Sequence, residues 1–334
     1  MWTARGSGLT ISEDGRRILC VGRVWAVVVD AASCKATHTF LSDHERNVLV
    51  GRTERAMEVY VDFNLMVQTP VAMSPDGNRV AIVQGRFVSL SVLLVDLVRN
   101  TATTQELPAE CLPYGCVKGA CFSPDGTKLA CVFQRGDIFV WDVALQEVVF
   151  KGVATEGTAA DTIAFAPDGT RIAATGPPNC VRIWNLSDPD EAPRALTGHS
   201  EHIYQVKWSS DGCFLISGGG DGLMFWDTTS WRCVHHCSDV GLVYSMSLGM
   251  RDTRLATLNI FEEVFMLWRL VLVPARGSEA PRVDLELQAM SRGKFEARRT
   301  PRALLGDFEG AELDPMFQRC VQNDWAREHL KTDL

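Results

Sequence analysis

The sequence predicts an all-β fold, a closed ring of small four-stranded sheets of the β-propeller type. Three observations carry that reading. A turn motif recurs as Ser74-Pro-Asp-Gly77, Ser123-Pro-Asp-Gly126, Ala166-Pro-Asp-Gly169 and Ser209-Ser-Asp-Gly212, with its glycines 49, 43 and 43 residues apart. A second marker follows each turn, an apolar run closed by valine or tryptophan plus a polar residue. Its copies are Val29-Asp30, Val61-Asp62, Val95-Asp96, Trp141-Asp142, Trp184-Asn185, Trp226-Asp227 and Trp268-Arg269, and the last four steps are 46, 43, 42 and 42 residues. Each turn also separates two β-type runs, such as Gly119-Ala-Cys-Phe122 and Lys128-Leu-Ala-Cys-Val-Phe133. A period of ~40 to 45 residues with four short strands per unit is the mark of propeller blades.

Each element has a local reason. Proline sets the backbone angle of a turn's first central position, and glycine supplies positive φ. Ser12-Glu-Asp-Gly15 is an earlier, looser copy of the turn and Arg251-Asp-Thr253 a later one. One small sheet cannot bury both faces alone, whereas a closed ring buries them all and leaves short, protected edges.

Composition narrows the classes. With 46% apolar and 22% charged residues over 334 positions, the chain reads as globular and long enough for a full core without disulfides. Length alone allows two domains or one large β architecture. The net charge of −8 argues against a general nucleic-acid partner. No apolar run approaches a membrane span of ~20 residues, since Arg269 interrupts the longest contender, 264–273, so no membrane insertion is expected. The first residues lack the basic start and apolar stretch of a signal peptide. The eleven cysteines are odd in number and many lie in apolar runs. These features together predict a reducing, cytoplasmic or nuclear setting with thiols acting as small hydrophobes.

On these residues the chain resembles the WD-repeat β-propeller family. The best blade opens at Gly198-His199 and closes its third strand at Trp226-Asp227. The resemblance implies a structural tetrad of His199, Ser217, Asp221 and Trp226. The Asp221–Trp226 spacing is one residue short of the family pattern, which implies a tighter hairpin. Other blades depart further. Glu156 and Pro113 stand where His199 stands, and Arg135 and Pro178 where Asp221 stands. The resemblance spans residues 9–274. It specifies fold far better than function, because this fold serves many roles.

Seven strand endings suggest seven blades, with six as the alternative because only 32 residues separate Asp30 from Asp62. Residues 46–62 read as two strands, 48–51 and Met57–Val61, with the missing strand possible at 36–41. The ring closes either through the strand-like 282–287 or through 2–5. We divide the chain into a propeller, 1–290, and a charged tail, 291–334, with a short amphipathic helix. In the tail, 292–302 carries five basic residues and one acidic, and 307–314 four acidic residues. Asp314 is an N-cap with Pro315 in the first turn, and Phe317, Val321 and Trp325 share one face. This helix is expected to pack on the propeller, with partner docking as the alternative.

Chemical motifs have plainer readings. Cys233-Val-His-His-Cys237 has metal-ligand residue types, but it lies on an expected outer strand. Alternation there puts Cys233, His235 and Cys237 on one face ~7 Å apart, too far to share a tetrahedral ion. The Cys111, Cys116 and Cys121 series lies on a connection between blades without the tighter spacing of a zinc site. Gly218-Gly-Gly-Asp-Gly222 joins two strands and opens no helix, so it is a hairpin and not a phosphate cradle. No nucleophile elbow appears, and His199 is explained by the tetrad. Asn185-Leu-Ser187 formally fits a glycosylation acceptor. No catalytic residue, metal or cofactor is expected.

In WD-repeat propellers the turns joining second and third strands lie on the usual partner face. Here they carry Arg23, Arg52, Arg55, Arg86 and Arg135, then Asn179, Asp221, Glu262 and Glu263. That is a basic crescent followed by a neutral-to-acidic arc. Arginine forks suit carboxylate or phosphate, so the crescent is the expected contact for acidic or phosphorylated peptides. The functional expectation is a non-enzymatic scaffold binding other proteins through the propeller face and the C-terminal helix. The alternative is a substrate receptor of a cullin-type ubiquitin ligase, although Trp141-Asp-Val-Ala144 and Trp226-Asp-Thr-Thr229 lack the Trp-Asp-x-Arg arginine. A phosphoinositide-binding propeller would need a Phe/Leu-Arg-Arg-Gly motif, which Gly15-Arg-Arg-Ile18 and Ala297-Arg-Arg-Thr300 do not match. A propeller enzyme would need carboxylates or histidines converging at the central channel.

Overall fold

The repeated turns and endings resolve into six antiparallel units in a ring. The computed structural model describes residues 8–12, 16–21, 25–30, 33, 35–42, 57–61, 70–86, 89–107, 117–153, 160–176, 179–249, 252–259, 264–276 and 279–292. Blade 1 comprises Gly8–Ile11, Arg17–Val21, Trp25–Asp30 and Lys35–Ser42, and blade 2 Val71–Met73, Arg79–Arg86, Ser89–Asp96 and Thr101–Glu106. Blade 3 comprises Val117–Phe122, Lys128–Phe133, Asp137–Asp142 and Glu147–Val153, and blade 4 Ile163–Phe165, Arg171–Gly176, Cys180–Asn185 and Arg194–Thr197. Blade 5 comprises Ile203–Trp208, Phe214–Gly219, Gly222–Asp227 and Arg232–Cys237, and blade 6 Ser245–Gly249, Arg254–Asn259, Val264–Val273 and Arg282–Arg292. Every blade is contiguous in sequence. The first strands neighbour one another from blade 1 round to blade 6 and back to blade 1, so they form the inner ring.

Six blades, the alternative count, is the number found among the described residues. The seventh ending does not close a blade. Met57–Val61 pairs parallel to Lys35–Ser42 as a fifth, outermost strand of the first sheet. The segment 36–41 likewise belongs to the fourth strand of blade 1. Ring closure uses the 282–287 segment, which completes the last blade within Arg282–Arg292. The segments 2–5 and 48–51 and the tail helix lie outside the described residues.

The turn motif works as a side-chain clamp. The Ser123 hydroxyl donates to Asp125 Oδ1 (2.5 Å) and accepts from Lys128 N (2.9 Å), while Asp125 also accepts from Thr127 N (2.9 Å). Burial raises the Asp125 carboxyl, but the Ser123 and Thr127 hydrogen bonds outweigh it and bring it to about 2. The same clamp recurs at Ser74–Asp76 and Ser209–Asp211. In the later copy Asp252 takes the left-handed position, φ +64°, that glycine fills elsewhere.

The second marker has two parts with two roles. Its apolar residue sits directly opposite an apolar residue of the second strand in every blade: Ile18–Val29, Val80–Val95, Leu129–Trp141, Ile172–Trp184, Leu215–Trp226 and Leu255–Trp268. These pairs help to fill the cores between blades. Trp184 packs against blade 3, Trp226 against blade 4 and Trp268 against blade 5. The polar residue caps the next turn. Asp96 Oδ1 accepts from Val98 N and Arg99 N, Asp142 Oδ1 from Ala144 N and Leu145 N, and Asn185 Oδ1 from Ser187 N. Arg269 has no acceptor to offer. Blade 6 has no tight turn there, and its strands run on to Val273 and from Arg282.

Polar latches join neighbouring blades on the turn face. The Arg17 guanidinium of blade 1 donates to Gly77 O and Asn78 Oδ1 of blade 2, and Arg79 donates to Gly126 O of blade 3 (2.7 Å). Arg171 lies over the rings of Trp208 and Trp231, 5.2 and 5.5 Å from their centroids, a cation–π contact between blades 4 and 5. Ser210 donates twice to Asp252 Oδ2 between blades 5 and 6.

The latches rank two otherwise equal glycines. Gly77 and Gly169 have φ of +67° and +69°, but a Cβ at Gly77 would lie 2.8 Å from Ser12 Cβ, whereas at Gly169 its nearest neighbour is Pro124 Cδ at 3.8 Å. Gly169→Ala should cost about 1 kcal/mol of backbone strain. Gly77→Ala should lose about 1 to 3 kcal/mol more by overpacking, and urea denaturation of the two variants measures the difference.

Candidate functional site

The opposite end of the ring gathers the turns between second and third strands and the connections that lead into each first strand. Its most extensive side-chain hydrogen-bond network among the described residues belongs to blade 5. The hairpin Gly219–Gly222 has a two-residue turn, Gly220–Asp221, and Gly222 has φ +108°, where a Cβ would run into Cys237 O. This tight turn points the Asp221 carboxylate back at the segment 199–200.

A directed chain of hydrogen bonds results. Trp226 Nε1 donates to Ser217 Oγ (2.8 Å), Ser217 Oγ lies 2.7 Å from His199 Nε2, and His199 Nδ1 lies 2.5 Å from Asp221 Oδ1. Asp221 Oδ2 also accepts from Ser200 N and Oγ. Burial lowers the His199 pKa below 6.5, against the opposing pull of Asp221. Burial raises Asp221, but hydrogen bonds from His199 and Ser200 more than offset this and leave it below the usual carboxylate value. A neutral imidazole beside a carboxylate fixes the proton order. Nδ1–H donates to Asp221, and the Ser217 hydroxyl donates to Nε2. Each N–H and O–H donor of the chain has an acceptor, and Ser217 and His199 are buried. Blade 6 repeats only its inner link, Trp268 Nε1 to Thr257 Oγ1 at 3.0 Å.

A second arrangement lies beside it at the mouth of the ring. His202 Nε2 is 2.6 Å from Asp161 Oδ2, which ties blade 5 to blade 4, and both side chains are part-exposed. The Asp161 hydrogen bond raises the His202 pKa, against burial, toward the charged form. His202 meets the Tyr204 ring edge-on at 4.9 Å, and Tyr204 lies 5.3 Å from Tyr244 of the blade 6 entry. Tyr204 is the bulged residue of its strand, the position that Lys118 holds in blade 3. A bulge re-aims one side chain at a strand end, which suits a rim residue.

Comparison with known proteins agrees with this geometry. The family model described as "WD domain, G-beta repeat" matches residues 191–227, the last strand of blade 4 and the first three of blade 5. Among solved structures, the β-propeller domain of Cps50 (Swd1) from Myceliophteria thermophila superposes with a TM-score of 0.58 at 14% identity, covering 67% of this chain and 71% of that one. This chain is a β-propeller with a WD repeat at residues 191–227. Curated relatives include the transcriptional corepressor LEUNIG_HOMOLOG of Arabidopsis thaliana, 28% identical over 36% of this chain and 15% of that protein. The protein LST8 homolog of Drosophila melanogaster is 30% identical over 35% of this chain and 40% of its own length. The guanine nucleotide-binding protein subunit beta of Schizosaccharomyces pombe is 32% identical over 34% and 36% respectively. The matches thus take in less than half of each curated relative.

The propeller distributes the sequence-named residues unevenly. Arg135 is exposed on the blade 3 turn at this end, and Arg86 ends the second strand of blade 2, opposite Ser89. Arg23, Arg52, Arg55, Glu262, Glu263, Glu156, Pro113 and Pro178 lie outside the described residues, as do Cys111 and Cys116. Cys121 is half-buried, and burial pushes its thiol up to about 12. Cys233–Cys237 lies on the outer strand of blade 5, but the single-face expectation is corrected. A bulge pairs Cys233 with Trp226 and His235 with Phe225, and those partners face opposite sides. Among the described residues no three His, Cys, Asp or Glu side chains converge as a metal site. No helix among them is long and apolar enough to cross a membrane. Sequence reasoning missed the His202–Asp161 pair and the Tyr204–Tyr244 pair. Their signal was a tyrosine at the entry of two successive blades, 40 residues apart.

Two measurements check the site. In a pH titration followed by imidazole nitrogen shifts, His199 should titrate below 6.5 as the Nδ1–H tautomer, and His202 above it. The linkage has opposite signs. The unfolded chain protonates more readily than buried His199, so that contribution is full above about pH 6.5 and is lost as pH falls through the folded value. The His202 contribution is full below about 6.5 and is lost as pH rises through its raised value. Ser217→Ala leaves a buried indole N–H and a buried imidazole nitrogen unpartnered, so denaturant titration should show a loss of about 2 to 4 kcal/mol.

Proposed function

We propose that this propeller is a non-enzymatic protein–protein interaction platform of the cytoplasm or nucleus. The observation that carries the reading is the state of the best-formed site, where each donor of the His199 chain already has a protein acceptor and both His199 and Ser217 are buried. A buried, internally partnered chain of this kind serves to fix the surface segment that it holds. The names of relatives support the same class. One is a "transcriptional corepressor", another a "serine-threonine kinase receptor-associated protein" of Mus musculus, and a third a G-protein "subunit".

Within this reading the arginine crescent is the main contact, and acidic or phosphorylated peptides are its partners. Arg86 and Arg135 belong to the turns of that end, and the forks of Arg23, Arg52 and Arg55 continue the series in sequence. The segment 314–325, with apolar residues four apart, supplies a second contact.

A peptide array of phosphorylated, acidic and neutral sequences, probed with the purified full chain, tests the crescent. Phosphorylated or acidic peptides should bind, and Arg86→Glu with Arg135→Glu should weaken them about tenfold without shifting the melting temperature. Equal binding by both proteins, or no charge preference, would sink the crescent as the contact.

A further inference from the structure

The innermost strands of the ring are only half-covered. Lys118–Cys121 of blade 3, Tyr204, Gln205 and Lys207 of blade 5, and Ser245 and Ser247 of blade 6 are all part-exposed. The second strands behind them in blades 3 and 5 are almost wholly buried. Inner strands flank one another around the ring, so the side that solvent reaches is the central channel.

The described wall of this channel is positive. Its six inner strands contain Lys118 and Lys207 and no aspartate or glutamate, in a chain whose net charge is −8. Lys118 is the bulged residue near the start of its strand, at the mouth. Lys207 lies three residues beyond Tyr204, about 10 Å further along the wall. Among the described residues it makes no hydrogen bond or ion pair, and the group that acts on its charge is the Cys121 thiol of blade 3. Blade 4 separates those two strands, so the interaction crosses the channel. Burial holds that thiol neutral, with its pKa at about 12, so it supplies no counter-charge. Burial also pulls the Lys207 amine below its usual value, because an ammonium ion here lacks a partner.

The groups beside Lys207 are donors. Lys207 lies opposite Ile216, which packs against blade 6, so its side chain leaves the strand toward that blade. Gln205 Oε1 accepts from Met246 N (2.8 Å), which leaves the Gln205 amide nitrogen to donate. Ser245 and Ser247 add hydroxyls from blade 6. An ammonium with neutral donors and no carboxylate suits a ligand that has several negatively charged oxygens.

We propose that the central channel binds a small oxyanion of the phosphate class, held by the Lys207 ammonium and drawn in from the mouth by Lys118. The site goes beyond the peptide contact proposed above and shares no residue with it, so either idea can fail alone.

The test titrates the purified full chain with inorganic phosphate, in potassium chloride at constant ionic strength, while the lysine ¹³Cε signals are followed. The Lys207 signal is identified by its loss in Lys207→Met and in Lys207→Arg. In chloride it should titrate below 10.5, and about 10 mM phosphate should raise its midpoint by about one unit, a tenfold preference for the charged amine. Calorimetry should show phosphate affinity falling about tenfold or more in Lys207→Met, with the melting temperature kept, and unchanged in the variant R86E/R135E. Equal affinity for glycerol 3-phosphate assigns the site to phosphate esters, and binding of inorganic phosphate alone assigns it to the free ion. A Lys207 signal that phosphate does not move overturns the inference. Phosphate binding that survives Lys207→Met intact overturns it as well and places the anion elsewhere.

Discussion

A four-stranded sheet has two apolar faces, and in this fold only the two neighbouring blades can cover them. That constraint organises the molecule. It explains why the third strand of each blade ends in tryptophan or valine. These residues sit opposite an apolar partner on the second strand, and the tryptophans of blades 4 to 6 fill the seam with the preceding blade. Removing one such tryptophan would open a seam shared by two blades, because nothing else is large enough to occupy it. The ring also closes without exchanging a strand between its ends. Each blade is contiguous, so the junction of blades 1 and 6 rests on side-by-side packing of complete sheets.

The two ends of the ring then specialise. At the turn end, Arg17, Arg79, Arg171 and Ser210 reach into the next blade, so that end serves to hold the ring together. The other end contains longer connections, and beside the His202–Asp161 tie it exposes Glu201 and Asp239. Those exposed carboxylates are available for recognition, which is why the functional reading rests there.

The fold was largely legible in the sequence because turns and strand endings are local. Proline, aspartate and glycine specify the clamp within five residues, and the Trp-Asp pair states both its packing and its capping role in two. The preference for seven blades over the alternative of six has the same origin. Val61-Asp62 has the right two residues, but an ending closes a blade only with a complete sheet behind it, and Met57–Val61 instead adds to the edge of blade 1. The single-face expectation for Cys233, His235 and Cys237 failed because a bulge changes the alternation without marking the sequence. The rim of Tyr204, Tyr244, His202 and Asp161 was not legible, since its members come from three blades and meet only after the ring has closed.

Blade 5 shows how local order and recognition are connected. Its hairpin is shorter than its neighbours', and the two-residue turn brings Asp221 close enough to grip both His199 and Ser200. That grip holds the segment leading to His202, and His202 in turn reaches Asp161 of blade 4 and the ring of Tyr204. The hydrogen-bonded chain from Trp226 outward therefore runs from the core between blades 4 and 5 to the exposed rim without a gap in partners. Stability deep in the seam and the position of the rim aromatics are consequences of one arrangement. A change at Ser217, which solvent does not reach, would be transmitted along His199 and the 199–202 segment to the surface.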